Sequence, residues 1–99
     1  MTDEAFFKRM QELVEQEMKQ PEMWHALSFA LADKFLGFTI VRAHGLITAI
    51  RRAHELGINP GGEVRGYSFD QMSKPPDELF EKLVTDKAEI NRLLEQWSN

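Results

Sequence analysis

Apolar residues recur every three or four positions at the start of the chain. They are Phe6, Phe7, Met10, Leu13, Val14 and Met18. Charged and amide side chains fill the positions between them, which is the pattern of a helix with one buried face. Gln20 precedes Pro21, and a residue before proline is pushed out of helical geometry. The pattern predicts a helix over residues 3–19.

The stretch from Met23 to Gly57 is the most apolar part of the chain. We interpret it as two helices, 22–36 and 39–56, which fold back on each other near Gly37. A glycine is the usual residue at a left-handed helix end, and Thr39 is a suitable cap for the next helix. The alternative is one unbroken helix of roughly 50 Å, at 1.5 Å per residue, which would suit an intertwined dimer. The break is favoured because a compact domain cannot easily hold so long a helix.

Small residues indicate where these two predicted helices would meet. Ala26 and Ala30 are four residues apart, and Gly45, Ala49 and Ala53 follow each other at the same spacing. Two such strips would let the backbones approach closely. This close approach argues against a small-ligand pocket between the two helices. The sequence therefore predicts a tight helical hairpin as the centre of the fold.

Residues 57–75 predict a long ordered loop before the last helix. Asn59, Pro60, Gly61 and Gly62 form a turn signal. The alternation after them is typical of a short strand, but no partner strand is evident in the chain. A loop of this length is uncommon in a small domain and is often functional.

The last predicted helix spans residues 76–97. Its apolar stripe is interrupted by one polar residue, Lys87, and contains Phe80, Leu83, Ile90, Leu94 and Trp97. The sequence thus predicts a single all-α domain over 1–99, a small four-helix bundle-like fold with a central apolar hairpin.

Composition narrows the class of protein. The chain has 99 residues and no cysteine, so we expect one domain without disulfides or thiolate metal sites, in a reducing compartment. No secretory signal or membrane-spanning run is evident. We therefore expect a cytoplasmic location.

Charge is unevenly distributed along the chain. Residues 1–22 and 75–99 each carry a net charge of −3, whereas residues 23–57 carry +2. Attraction between these parts within one domain explains the distribution more simply than a basic patch for an anionic partner. The four bases of the centre are few for a nucleic-acid interface.

The chain lacks the patterns of known catalytic and metal sites. Glu22 and His25 have the Glu-x-x-His spacing of di-iron bundles, but neither His44 nor His54 follows a glutamate in that way. No two histidines have the spacing of a zinc pair on a helix, and no serine lies in a nucleophile-elbow motif. We expect no cofactor, no metal and no enzymatic activity.

One segment invites comparison with helix-turn-helix DNA-binding proteins, because Ala32, Gly37 and Val41 resemble their small and apolar positions. The spacing between these residues does not fit that motif. The polar face after them still offers groups that can contact phosphates or bases.

The sequence therefore favours a small non-enzymatic interaction or regulatory protein that acts through protein contacts, and a homodimer is expected. The excess of large apolar residues motivates this hypothesis, because such residues often anchor interfaces. The alternative is a nucleic-acid-associated regulator that uses a basic face of the third predicted helix. The candidate binding residues are His44, Thr48, Arg51, Arg52, Glu55, Arg65 and Tyr67.

Overall fold

The computed structural model describes residues 3–69 and 73–98. Its elements follow the order helix, two strands, helix, strand, helix. In chain order they are α1 (Asp3–Met18), β1 (Met23–Leu31), β2 (Lys34–Ala43), α2 (Leu46–Glu55), β3 (Glu63–Phe69) and α3 (Lys87–Ser98). The three strands form an antiparallel sheet in the order β2-β1-β3. The all-α prediction, with its helical bundle, is therefore wrong.

The predicted helical hairpin is a β-hairpin. β1 pairs with β2 from Met23 opposite Ala43 to Leu31 opposite Lys34. Both faces of the sheet are covered, so the strand is apolar on both sides instead of alternating with polar residues. Such a run lacks the period of a half-buried strand, and its many Ala, Leu and Met residues favour helix in isolation.

The hairpin turn consists of Ala32 and Asp33, which lie between the two strands. Ala32 has a φ of 53°, a left-handed conformation that alanine rarely adopts. Turns of this length usually carry Asn-Gly or Asp-Gly. The sequence signal for a hairpin was therefore missing. Gly37, the expected helix end, instead lies within β2 opposite Phe29, and a Cβ there would collide with Leu83.

The helix predicted over 39–56 is divided between two elements. Its first residues belong to β2, and only Leu46–Glu55 is helical. The Glu17 carboxylate of α1 caps the start of α2, where it accepts hydrogen bonds from the Ile47 and Thr48 N–H groups at 2.8 Å. A negative group at a helix N-terminus satisfies free N–H donors and interacts favourably with the helix dipole.

The predicted loop over 57–75 contains strand β3, which pairs with β1; residues 70–72 of that loop lie outside the described residues. Gly62, just before β3, has a φ of 77° and packs so closely on the Ala30 carbonyl that a Cβ would collide with it. Only glycine combines this backbone conformation with this approach.

The last predicted helix begins about eleven residues too early. Residues 76–86 are mostly irregular, and α3 starts at Lys87. Part of the irregular segment lies along the outer edge of β2: the Phe38 N–H donates to the Val84 carbonyl at 2.8 Å, and the Glu81 N–H donates to the Ile40 carbonyl at 2.9 Å. This edge gains hydrogen-bond partners that the sequence pattern does not reveal.

The sheet separates two apolar clusters. We call its two sides the α2 face and the α3 face. On the α2 face the buried residues are Leu27, Phe29, Val41, Ala43, Ala49 and Ala53. On the α3 face they are Trp24, Ala26, Phe38, Ile40, Leu79, Ile90, Leu93 and Trp97. None of the helices in the described ranges is long and apolar enough to cross a membrane.

Candidate functional site

A groove runs between the α3 face of the sheet and the first turns of α3. It encloses a cavity of about 290 Å³. The lining residues are Ser28, Phe35, Phe38, Arg65, Tyr67, Lys87, Ile90, Asn91 and Leu94. The pairing of β1 with β3 brings the lining residues of these two strands together. Ser28 lies opposite Arg65, and Ala26 lies opposite Tyr67. Arg65 and Tyr67 therefore point to the same face as Ser28.

Two cations stand over the apolar floor of this groove. The Lys87 Nζ lies 5.2 Å from the centroid of the Phe35 ring, within the range of a cation–π contact. Among residues 3–69 and 73–98, neither Lys87 nor Arg65 forms an ion pair with a carboxylate. Tyr67 is 57% exposed and presents its ring beside them. The groove thus combines apolar surface with two cations that form no direct ion pair within the described ranges.

The groove continues into a second cavity of about 270 Å³ at its outer end. Arg65, Lys87, Phe35 and Ser28 line both cavities. The outer one adds two carboxylates, Asp33 and Glu63, together with Ala30 and Ala32. The inner end is therefore basic and apolar, whereas the outer end carries both signs of charge.

The predicted binding residues His44 and Thr48 lie on the other side of the molecule and make internal hydrogen bonds. His44 Nδ1 donates to the Gln20 carbonyl at 2.7 Å, since a carbonyl oxygen can only accept. The Thr48 hydroxyl donates to Glu17 Oε1 at 2.9 Å and accepts from the Gly45 N–H at 3.0 Å. Both side chains hold the start of α2 against α1.

The predicted basic residues do not form one surface. Arg52 pairs with Glu81 at 3.2 Å and lies 4.0 Å from Glu55. Arg51 is exposed on α2 and lines a shallow cavity with α1. Arg65 lies on the opposite face of the sheet. The structure therefore joins Arg65 and Tyr67 to the groove and leaves His44, Thr48, Arg51, Arg52 and Glu55 outside it.

Sequence reasoning missed most of the groove because its residues come from four elements. Phe35 lies in the second predicted helix and Phe38 lies in the predicted break after it, and Ser28 and Asn91 carry no motif. One signal was present: Lys87 is the polar residue that interrupts the apolar stripe of the last helix. A cation within an apolar stripe marks a place where charge lies beside apolar surface.

A buried histidine lies on the α2 face. His25 is 4% exposed; its Nε2 donates to the Ala43 carbonyl at 3.1 Å, so its Nδ1 accepts from the Ser68 hydroxyl at 3.3 Å. Burial lowers the pKa of His25 from its ordinary value, because desolvation of the charged form outweighs the hydrogen bond to Ala43 and the charge of Glu17. The neutral ring is therefore the form that the fold holds.

The contact between Ser68 and His25 resembles part of a nucleophile–base pair. However, neither residue lines any of the three cavities described above. Hydrogen bonds at both ring nitrogens instead satisfy a buried polar side chain.

The Glu-x-x-His pair has a structural explanation as well. Glu22 precedes strand β1, and its carboxylate accepts a hydrogen bond from Arg42 Nε at 2.9 Å rather than pointing toward His25. Within the described ranges no group of three or more His, Asp or Glu side chains is arranged to hold a metal ion.

Comparisons with protein-family models, with curated proteins and with solved structures each gave no match to this chain.

Proposed function

We propose that this protein is a small non-enzymatic interaction module, and that its groove binds an acidic, aromatic segment of a partner protein. The observation that carries the proposal is the pair of cations, Arg65 and Lys87, which line an apolar groove and form no ion pair with a carboxylate of the described residues. An unpaired cation beside apolar surface is energetically well placed to receive an acidic group whose neighbours are apolar.

The groove divides into two adjoining cavities of about 290 and 270 Å³, each with room for a single partner side chain. A phenylalanine ring fits such a space, and Tyr67 at its rim is of the residue type that often anchors protein interfaces. A partner segment would therefore insert one or two aromatic rings and place carboxylates beside Arg65 and Lys87.

The nucleic-acid alternative lacks a comparable observation. It requires several cations along one surface, whereas Arg52 is paired with carboxylates and Arg65 lies across the sheet from Arg51. It therefore receives no support from the geometry.

The test uses a fluorescein-labelled heptapeptide in which two phenylalanines are flanked by glutamates, with a lysine-flanked version as a probe control. We expect the acidic peptide to raise fluorescence anisotropy with a Kd on the order of tens of micromolar, as is typical of a small interface. The double variant Arg65→Ala/Lys87→Ala should weaken binding at least about tenfold, which corresponds to roughly 1.4 kcal/mol.

The matched control is Arg51→Ala/Lys82→Ala, which removes one arginine and one lysine from exposed positions outside the groove. It changes the net charge by the same amount, so binding should stay within about twofold of the unmodified protein if the groove is the site. Equal losses in the two double variants would contradict the proposal, as would failure of the acidic peptide to bind.

A further inference from the structure

The N-terminal half of helix α1 carries apolar side chains that the rest of the described chain leaves exposed. No residue of α1 is buried. Phe6 is 51% exposed and Phe7 is 64% exposed, and their rings contact each other edge to face with centroids 5.8 Å apart. Two adjacent exposed phenylalanines are unusual on a protein surface unless something packs on them.

An acidic residue shares this face with the phenylalanines. Residues three, four and seven positions apart lie on one side of a helix, so Asp3 lies beside Phe6, Phe7 and Met10. At 100° per residue, Lys8 falls outside this face. Arg9, three residues after Phe6, lies at its edge and pairs with Glu12 at 3.6 Å. The N-terminal half of α1 therefore presents two aromatic rings next to a carboxylate.

These are the chemical features that the groove requires. The groove offers Arg65 and Lys87 to a carboxylate, and it offers Phe35, Ile90 and Leu94 to an aromatic ring. Within one molecule the two surfaces are kept apart, because α1 packs on α2, on the α2 face of the sheet, whereas the groove lies on the α3 face. An intramolecular contact would require the helix to leave the position that Glu17 fixes.

We infer that the occupant of the groove is the N-terminal half of α1 from a second copy of this chain. This inference rests on the proposed function and names its partner. When each copy places its helix in the groove of the other, the contact is reciprocal and the assembly closes as a two-fold dimer. The mode is that of an amphipathic helix bound in an apolar groove, with Asp3 facing the two cations.

The experiment measures molar mass by sedimentation equilibrium over a wide concentration range, with the full chain. We expect a dimer whose dissociation constant rises at least about tenfold in Phe6→Ala/Phe7→Ala and also in Arg65→Glu/Lys87→Glu. The control Met18→Ala removes an exposed apolar side chain from the other end of α1 and should leave the dissociation constant within about twofold. Circular dichroism of each variant establishes that it is folded.

Mixing the two double variants gives the sharper result. In each variant alone both contacts are weakened, but a mixed pair keeps one intact contact, between the native helix of one chain and the native groove of the other. We therefore expect the mixture to associate more tightly than either variant alone. A mixture no tighter than its components would overturn reciprocal docking, and so would a dimer that persists unchanged in both variants.

The heptapeptide distinguishes failure of this inference from failure of the proposed function. If the full chain stays monomeric but binds the acidic peptide through Arg65 and Lys87, self-association is wrong and the groove remains a binding site for another protein. If the chain is monomeric and the peptide does not bind, both proposals are wrong.

Discussion

The two faces of the sheet use their polar residues in different ways. On the α2 face, Glu17 caps a helix, Thr48 binds that carboxylate, and His25 bonds through both ring nitrogens. On the α3 face, Arg65 and Lys87 border apolar side chains without a carboxylate partner in the described ranges. A polar group that is satisfied internally contributes to folding, whereas a charged group left unpaired beside apolar surface is available to a partner.

This difference implies that substitutions on the two faces should have different consequences. Changes to the internally bonded polar residues of the α2 face should reduce stability. Changes to the groove cations Arg65 and Lys87 should leave stability almost unchanged and reduce binding.

The largest loss of stability should follow Leu27→Ala. Leu27 is fully buried under α2, so removing its side chain leaves a cavity and should cost about 3 kcal/mol in the free energy of unfolding. Leu94→Ala, at the half-buried groove wall, should cost about 1 kcal/mol. Urea denaturation measures the free energy of unfolding of both variants. Equal losses would contradict the difference in burial between Leu27 and Leu94.

The next largest loss of stability should follow Glu17→Ala. This change leaves the Ile47 and Thr48 N–H groups without their acceptor and removes the negative charge at the start of α2, at a cost of about 1.5 kcal/mol. Glu15→Ala is the control on the same helix, because Glu15 is exposed, and should change stability by less than about 0.5 kcal/mol. A similar loss in both variants would mean that the cap contributes little.

Stability should also fall with acidification through His25. Its pKa is lowered in the folded state, so below its ordinary value of about 6.5 the unfolded chain binds a proton that the folded chain does not. Stability should therefore be full above that pH and decline below it, by at most about 1.4 kcal/mol per pH unit for this one group. Urea denaturation of the unmodified protein and His25→Gln from neutral pH to pH ~5 isolates the contribution of this residue. If the two proteins lose stability in parallel as the pH falls, His25 does not contribute to the pH dependence.

A substitution in the hairpin turn should instead increase stability. Ala32→Gly removes the cost of a left-handed alanine, which is roughly 1 kcal/mol, and should raise the unfolding midpoint. Ala88→Gly, on the exposed side of α3, should lower stability by a similar amount, because glycine disfavours helix. If Ala32→Gly also destabilises the protein, the turn does not have the conformation described above.

The smallest effect on stability should come from Arg65→Ala/Lys87→Ala. Neither cation pairs with a carboxylate of the described residues, so the free energy of unfolding should change by less than about 0.5 kcal/mol. A loss comparable to that of Glu17→Ala would assign these residues to the fold rather than to binding.

The central part of the fold was not predictable from the pattern of apolar residues. β1 and β2 bury apolar residues on both faces of the sheet, and their pairing is irregular between Phe29 and Ala30, so the sequence lacks strict alternation and resembles a buried helix. The turn at Ala32 and Asp33 lacks the glycine that marks most two-residue hairpins. The alternation of β3 is typical of a strand, but its partner β1 has the apolar pattern of a helix. The sequence therefore predicts a loop at β3.

Local signals were more informative at the two ends of the chain. The apolar stripe and Pro21 predicted a helix close to the observed α1. The last predicted helix is too long, because residues 76–86 share the apolar spacing of α3 but pair their backbone with the edge of β2. Of the predicted binding residues, only Arg65 and Tyr67 lie in the groove. Its other residues come from β1, β2 and α3, and only tertiary structure places them together.

The most direct test of the groove as the contact surface is amide chemical-shift mapping by NMR with the acidic heptapeptide. We expect the amide signals of Arg65, Tyr67, Lys87 and Asn91 to shift on titration, whereas those of Thr48, Ala49 and Ala53 on the α2 face remain unchanged. Shifts centred on α2, or shifts spread equally over both faces of the sheet, would contradict binding in the groove.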